Sequence, residues 1–319
     1  MNRMTVLVTG GAGFIGSCLA RRLLGAGHAV VVVDNLFSGA RANVPAGAEW
    51  VEGDIGRPET IAALPERRYD AVCHLAAQSS GAVSMEQPYY DFQSNATSTL
   101  LLTRWCLERG IGRFLYASSM AVYGNPVRQP VGETTALLPI SYYGVSKLTS
   151  ENLLRIAAAQ GLRTTAFRMF NVYGPGQNMA NLRQGMASIY LAYILQGVPV
   201  PVTGSLDRFR DFVFIDDVVE AWVRGLEMKA TPSPVYNIAS GRATTVRTLL
   251  RDLLGASGRA TDYPVVERAA PPGDQFGLQG DTALAATELG WRPQVELAEG
   301  LRRFVASVQA SGAKSAATA

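Results

Sequence analysis

Histidine and cysteine are scarce in this chain, two and three among 319 residues, and each scarcity removes a class of chemistry. Cys18, Cys73 and Cys106 each sit in an apolar stretch and share no paired spacing. They read as small buried hydrophobes of a reducing compartment, so neither a disulfide framework nor a zinc site is expected. His28 falls in a helix-to-strand turn, where a solvated side chain is expected, and His74 closes an apolar strand as a core or near-site group. Serine–histidine hydrolysis and histidine-based metal binding therefore have little to work with, and no metal is expected. An excess of one charge is missing too: 29 basic and 26 acidic residues leave +3, with no basic run or aromatic-interleaved stripe of the kind that binds nucleic acid. The longest apolar run, Met186 to Leu195, is too short to span a bilayer and contains Ser188. The chain enters its first strand almost at once, so no leader is expected, nor any nucleic-acid or membrane partner, and the location implied is cytoplasmic.

What is present begins at Met4. Thr5-Val6-Leu7-Val8-Thr9 is short and β-branched, and it runs into Gly10-Gly11-Ala12-Gly13-Phe14-Ile15-Gly16, after which Cys18, Leu19, Leu23 and Leu24 recur at helical spacing. A second apolar strand, Ala29 to Val33, closes on Asp34. Strand, glycine turn, helix and an acid ending the next strand make up a dinucleotide fingerprint. Gly10 permits the tight turn, Gly13 lets backbone approach a diphosphate, and Gly16 brings helix against strand. Asp34 would accept from the adenosine ribose hydroxyls and repel a 2′-phosphate, which favours NAD over NADP, although nearby Arg41 leaves the second cofactor open.

Further along, a strand through Glu49-Trp50-Val51 leads to Asp54-Ile55, which either hold the adenine or, in the case of Asp54, cap the helix starting near Pro58. Asp70 to Leu75 is a buried strand ending in Ala76-Ala77-Gln78, small enough for a nicotinamide riboside to lie against. A long helix from Pro88 to Arg109 carries Asn95, and a strand from Gly112 to Ala117 delivers Ser118-Ser119 to the carboxyl end, where open α/β sheets bind ligands. A helix from Ser141 to about Ala159 and a strand from Arg163 to Phe170 follow. This alternation predicts an α/β fold, a doubly wound parallel sheet of the Rossmann kind over residues 1–170, with a smaller C-terminal α/β lobe over 171–310 and a disordered tail over 311–319. In that lobe helices are predicted near 183–196, from 216, and at 282–289 and 297–308, with strands at 211–214 and 235–239.

Tyr143 and Lys147 stand four apart at a helix start, on one face. A tyrosine is a poor base near neutrality, and an ammonium close by favours its phenolate, so the pair is a candidate acid/base.

Taken together, Gly10-x-x-Gly13-x-x-Gly16, Asp54, Asn95, Ser119 and Tyr143-x-x-x-Lys147 resemble the extended short-chain dehydrogenase/reductase family. The resemblance spans nearly the whole chain, continuing through Arg168-Met169-Phe170-Asn171-Val172-Tyr173-Gly174 and Arg210-Asp211-Phe212, and is strongest to the nucleotide-sugar 4-epimerases, whose serine segment matches Ala117 to Gly124. It implies Ser119, Tyr143 and Lys147 as catalytic residues. It implies NAD contacts at Gly10, Gly13, Phe14, Ile15, Gly16, Asp34, Asn35, Asp54, Ile55, Leu75, Ala76, Ala77 and Asn95, together with Tyr143 and Lys147. For a UDP-hexose it implies Ser79, Ser119, Tyr143, Asn171, Asn181, Arg210 and Asp274. The implied reaction is oxidation at C4, rotation of the 4-keto sugar about its diphosphate, and return of the hydride to the other face.

The related 4,6-dehydratases carry acids just after the serine; here those positions are Met120 and Ala121, which can transfer no proton. A net reductase, a decarboxylase or a uronate epimerase of the same fold, and a non-catalytic NAD-binding regulator, are the rival readings. Two departures leave nucleotide and sugar open. Pro271 stands where the family often has arginine, a cation that Arg183 or Arg268 would then have to supply, and Ser79 stands where lysine is common. Leu278, where some relatives place a tyrosine, reads either as room for an N-acetyl group or as a packing leucine. Family precedent also implies a homodimer through the two long helices, with an apolar stripe of Leu100, Leu101, Leu107, Leu153, Leu154 and Ile156.

Overall fold

The computed structural model describes residues 3–183, 185–230, 232–269 and 275–317. In chain order the first half is β1 (Thr5–Thr9), α1 (Phe14–Gly25), β2 (Ala29–Asp34), β3 (Glu49–Glu52), α2 (Pro58–Ala62), β4 (Ala71–His74), α3 (Gly81–Glu86), α4 (Pro88–Phe92), α5 (Ser98–Glu108), β5 (Arg113–Ser119), α6 (Tyr142–Ala159) and β6 (Arg163–Met169). The second half is β7 (Asn171–Tyr173), α7 (Met186–Gln196), β8 (Val200–Thr203), β9 (Phe209–Arg210), β10 (Phe212–Phe214), α8 (Ile215–Glu227), β11 (Val235–Ile238), β12 (Thr244–Thr245), α9 (Val246–Ala256), β13 (Val265–Arg268), β14 (Gly277–Leu278), α10 (Ala283–Glu288) and α11 (Leu297–Ala317).

Seven strands form the main sheet in the order β11-β6-β5-β4-β1-β2-β3, each neighbouring pair parallel. Six of them keep the 3-2-1-4-5-6 order of a doubly wound dinucleotide fold. Alternation along the strands divides the core between the faces. Val6, Val8, Val32 and Phe167 belong to one cluster, with Leu19 and Leu23 of α1 and Trp222 of α8. Leu7, Val31, Val33 and Tyr116 belong to the other, with Leu102 of α5 and Leu154 of α6.

The division anticipated at residue 170 is not where the sheet ends. Val235–Ile238 pairs in register with Ala166–Met169 as the edge strand, and α8 packs on α1, joined at the rim by Arg22 and Glu220 at 3.2 Å. A strand read in isolation does not reveal which sheet it will enter. What covers the carboxyl ends of the main strands is a set of small sheets, β10-β7, β13-β8 and β12-β9-β14, held by α7, α9 and α11.

Other differences from the sequence reading are local. Pro88 to Glu108 is interrupted by one π-helical turn, Gln93–Thr97, and the helix expected from Arg183 starts at Met186. The last helix continues to Ala317, through most of the stretch expected to be disordered, while residues 318–319 lie outside the described residues. His28 is buried rather than solvated, its Nδ1 accepting from the Met4 amide at 3.2 Å. His74 is buried as a core group, sharing hydrogen bonds with Thr9 Oγ1 at 2.7 Å and Ser98 Oγ at 3.1 Å. Burial pushes its pKa down to about 3, and the Lys147 charge adds to that, so it stays neutral. Cys73 and Cys106 are buried as expected, and Cys18 is half-buried. Among the described residues no helix is long and apolar enough to cross a membrane.

Candidate active site

A cleft of about 1380 Å³ lies over the carboxyl ends of the main strands, between the sheet and the small sheets above it. One end is the glycine turn. Gly10 has φ +68°, and a Cβ there would lie 2.6 Å from the Ala76 amide nitrogen; a Cβ on Gly16 would lie 2.2 Å from the Gly10 carbonyl oxygen. No side chain caps α1, so its first amides are left open beside Gly13, which suits a diphosphate. Asp34, at the end of β2, accepts from the Ala12 amide at 3.0 Å and the Leu36 amide at 2.8 Å. Burial raises its pKa and those amides oppose the rise. One carboxylate thus braces the turn while facing the cleft.

Phe14, Ile15, Asn35, Asp54, Ile55, Leu75, Ala76 and Ala77 all line the same end. Asp54 accepts from the Gly56 amide at 2.9 Å, whereas α2 is preceded by Arg57 and has no side-chain cap, which removes the capping reading of Asp54. Arg41 lies over the Trp50 ring, 4.9 Å from its centroid, and is not among the cleft residues. The turn, the open helix end and a ribose-facing acid fit a dinucleotide without a 2′-phosphate.

At mid-cleft, β5 delivers Ser119 and α6 delivers Tyr143 and Lys147. The first turn of α6 is fixed by Ser141, whose Oγ accepts from the Gly144 amide at 3.1 Å. Tyr143 and Ser119 line the cleft together, and Ser119 Oγ accepts from the Ala121 amide at 3.2 Å. Lys147 is 2% exposed; its Nζ donates to the Ala117 carbonyl at 2.8 Å and lies 4.9 Å from the Tyr116 ring centroid and 5.7 Å from that of Tyr143. The electrostatics differ from the expected lysine-lowered phenol. Burial pushes Tyr143 up to about 12, which the neighbouring Ser119 hydroxyl opposes and the Asp91 charge reinforces. Burial likewise pushes Lys147 down to about 7, against the pull of Asp91 and Glu151. Desolvation outweighs proximity in the free site.

Asn95 does not line the cleft as anticipated. The π turn points it inward, fully buried, where Nδ2 donates to the Gln78 carbonyl at 3.0 Å, Ser146 Oγ at 2.9 Å and Asp91 Oδ1 at 3.2 Å. Asp91 was missed by sequence reading. It is fully buried and held by neutral donors, Gln78 Nε2 at 2.7 Å and the Ser146 hydroxyl among them. Glu151, one turn beyond Lys147, was missed as well: it pairs with Arg168 at 2.9 and 2.7 Å and accepts from Ser118 Oγ, next to Ser119. A carboxylate one helical turn from Asn95, and another one turn from Lys147, were the available signals.

Toward the far end, Ser79, Asn171, Asn181 and Arg210 line the cleft as expected. The buried Arg210 donates to the carbonyls of Phe209 at 2.8 Å, Phe276 at 3.1 Å and Gln275 at 2.7 Å. Burial and neighbouring Arg208 hold its pKa down, to about 10. Arg208 itself, Arg183 and Arg268 also face the cleft, whereas Asp274 and Pro271 lie outside the described residues. Leu278 is fully buried among Val122, Tyr123 and Phe170 and is not among the cleft residues, so it packs in the core. Met120 and Ala121 do line the cleft beside Ser119.

Residues 6–239 match the NAD dependent epimerase/dehydratase family. The chain is 35% identical over 311 residues to a UDP-glucose 4-epimerase of Mycolicibacterium smegmatis, covering 95% of this chain and 97% of that one. It is also similar to the structure of a UDP-glucose 4-epimerase with UDP-glucose from Thermotoga maritima, with a TM-score of 0.91 at 36% identity over 97% of this chain and 99% of that one. A Thermus thermophilus UDP-glucose 4-epimerase in complex with NAD gives a TM-score of 0.89 at 35% identity, covering 96% of this chain and 99% of that one.

The buried Lys147 makes a direct prediction. In NMR of the free protein carrying labelled lysine, its ε-resonances should titrate near pH 7, and in Asp91→Asn, which loses a charge that favours the ammonium, the midpoint should fall further. A midpoint above 10, in the range of an exposed lysine, contradicts this electrostatic account.

Proposed function

The chain belongs to the NAD dependent epimerase/dehydratase family, and on that premise we propose that it inverts C4 of a UDP-hexose, interconverting UDP-glucose and UDP-galactose with NAD as resident cofactor. The observation that carries this reading is the meeting of Ser119, Tyr143 and Lys147 in one cleft with the glycine turn, with Met120 and Ala121 beside them. NAD, held by the glycine turn and Asp34, would supply the acceptor and donor for the C4 hydride. Tyr143, with Ser119 bridging, accepts the proton of the C4 hydroxyl and later returns it, so the cycle exchanges no net proton. The Ser119 hydroxyl is the neighbour that favours the phenolate. Lys147 adds its positive charge to the same end of the cleft when protonated, and Asp91 and Glu151 favour that state.

The intermediate is a 4-keto sugar, which must turn over while its nucleotide stays put. Arg210, Asn171 and Asn181 supply donors for the diphosphate and nucleoside, and guanidinium suits phosphate better than ammonium does. Around the sugar, Met120, Ala121 and Phe170 present apolar side chains that offer a hydroxyl no strong hydrogen bond to fix one orientation. Binding energy from the part that does not react is thereby used to keep a loosely held part in range. Elimination of water would need an acid where Met120 and Ala121 stand, which disfavours the dehydratase reading.

We also propose a homodimer. Leu100 and Ile156 are 42% and 51% exposed on the outer faces of α5 and α6, with Leu101, Leu107 and Leu153 half-buried beside them; Leu154 faces the core instead. Light scattering on Leu100→Lys/Ile156→Lys should give a monomer where the unaltered chain gives a dimer, and an unaltered chain already monomeric refutes the assignment.

Followed anaerobically by proton NMR without added cofactor, UDP-galactose should convert to UDP-glucose without change of mass, and UDP-N-acetylgalactosamine and UDP-galacturonate tested beside it define the sugar range. Tyr143→Phe should lose about 100-fold or more of that rate while retaining NAD. An unchanged rate in the variant, or a product of different mass, overturns the proposal.

A further inference from the structure

We propose that Phe37 and Tyr90 form an aromatic clasp at the adenosine end of the cleft, and that this clasp sets how long the dinucleotide stays bound. The inference rests on the NAD reading above and concerns two residues to which that reading gives no role.

Phe37 is 68% exposed, so its ring is open to a ligand in the cleft that it lines. It lies in the loop after β2, and its ring meets Tyr90 of α4, with centroids 5.2 Å apart and planes tilted by 48°. The loop and the helix come from separate parts of the chain, and both rings line the cleft near Asp34, Asp54 and Ile55. Burial raises the pKa of the Tyr90 hydroxyl and the Asp54 charge adds to the rise, so the ring carries a neutral phenol.

The backbone that presents Phe37 is held under strain. Leu36 has φ +58°, the one positive φ at a non-glycine residue among those described, and such a conformation persists only where its surroundings impose it. Here two side chains do so. Asp34 Oδ1 accepts from the Leu36 amide at 2.8 Å, and Asn35 Oδ1 accepts from the Phe37 amide at 3.0 Å. The acid that faces the ribose therefore also aims Phe37 across the cleft.

A purine offers a flat π face, and stacking on aromatic side chains holds bases without needing hydrogen bonds. Two rings meeting over the purine site must part for the dinucleotide to leave. A reaction that borrows a hydride and returns it requires the reduced cofactor to remain between the two transfers, so slow release contributes directly to turnover.

The test uses the whole protein with three probes: NAD, ADP-ribose, which carries the adenosine half without nicotinamide, and UDP. In stopped-flow displacement, Phe37→Ala and Tyr90→Ala should each release ADP-ribose and NAD about tenfold faster than the unaltered chain. Tyr90→Phe, which keeps the ring, should stay near the unaltered rate, and UDP affinity should be the same in all four proteins. Release rates within twofold of the unaltered chain in both alanine variants overturn the clasp and leave the NAD reading standing. Equal loss of ADP-ribose and UDP binding also overturns it, because the effect would then be general. An unaltered chain that binds neither NAD nor ADP-ribose overturns the clasp and the NAD reading together.

Discussion

Lys147 has to be buried and yet be able to carry a charge, and much of the architecture around the cleft answers that demand. An ammonium removed from water is held by its counter-charges or it loses its proton. Here Asp91 and Glu151 supply those charges from two different helices, α4 and α6. Each carboxylate needs partners of its own. Gln78, Asn95 and Ser146 surround Asp91, while Arg168 and Ser118 satisfy Glu151. Through these bonds the requirement reaches β5, β6, α4 and α6 at once. Ser119 inherits its position from Ser118, and Tyr143 from the helix that Ser146 and Glu151 lock in place.

The same demand explains the π turn at Gln93–Thr97. It carries Asn95 into the interior, where the side chain joins Asp91 to Ser146 and the backbone carbonyl accepts from Thr99 at 2.7 Å and Ser150 at 3.2 Å. A regular helix would place that amide differently, and π turns recur where a side chain has to be re-aimed. The glycine turn is a second, independent constraint, and a steric one. With 2.2 Å between the Gly10 oxygen and a Cβ at position 16, no side chain is tolerated at that point. Together the two constraints place an open helix end and a proton-transfer pair in one cleft.

Much of this was legible from residue order. The glycine spacing, Asp34 at a strand end, Ser119 at another and the Tyr143–Lys147 pair all stand on local elements whose periodicity is clear. What escaped were features decided by tertiary contact. Val235–Ile238 looks like any short apolar strand, and only its pairing with β6 places it in the main sheet. Asn95 has the composition of a ligand contact, and only the π turn shows that it points elsewhere. The sign of the Tyr143 shift was misjudged because spacing reveals a neighbouring ammonium but not the desolvation that outweighs it. Leu278 could be assigned only once its neighbours were known.

The central claim is that a hydride leaves C4 and returns to the same carbon without leaving the protein, and isotope retention tests it most directly. UDP-galactose deuterated at C4 would be incubated with unlabelled UDP-N-acetylgalactosamine and no added cofactor, and both products analysed by mass and NMR. The account predicts UDP-glucose that keeps its deuterium at C4, with none lost to water and none transferred to the second sugar. Deuterium washed out into solvent, or found at C4 of the second sugar, would contradict it.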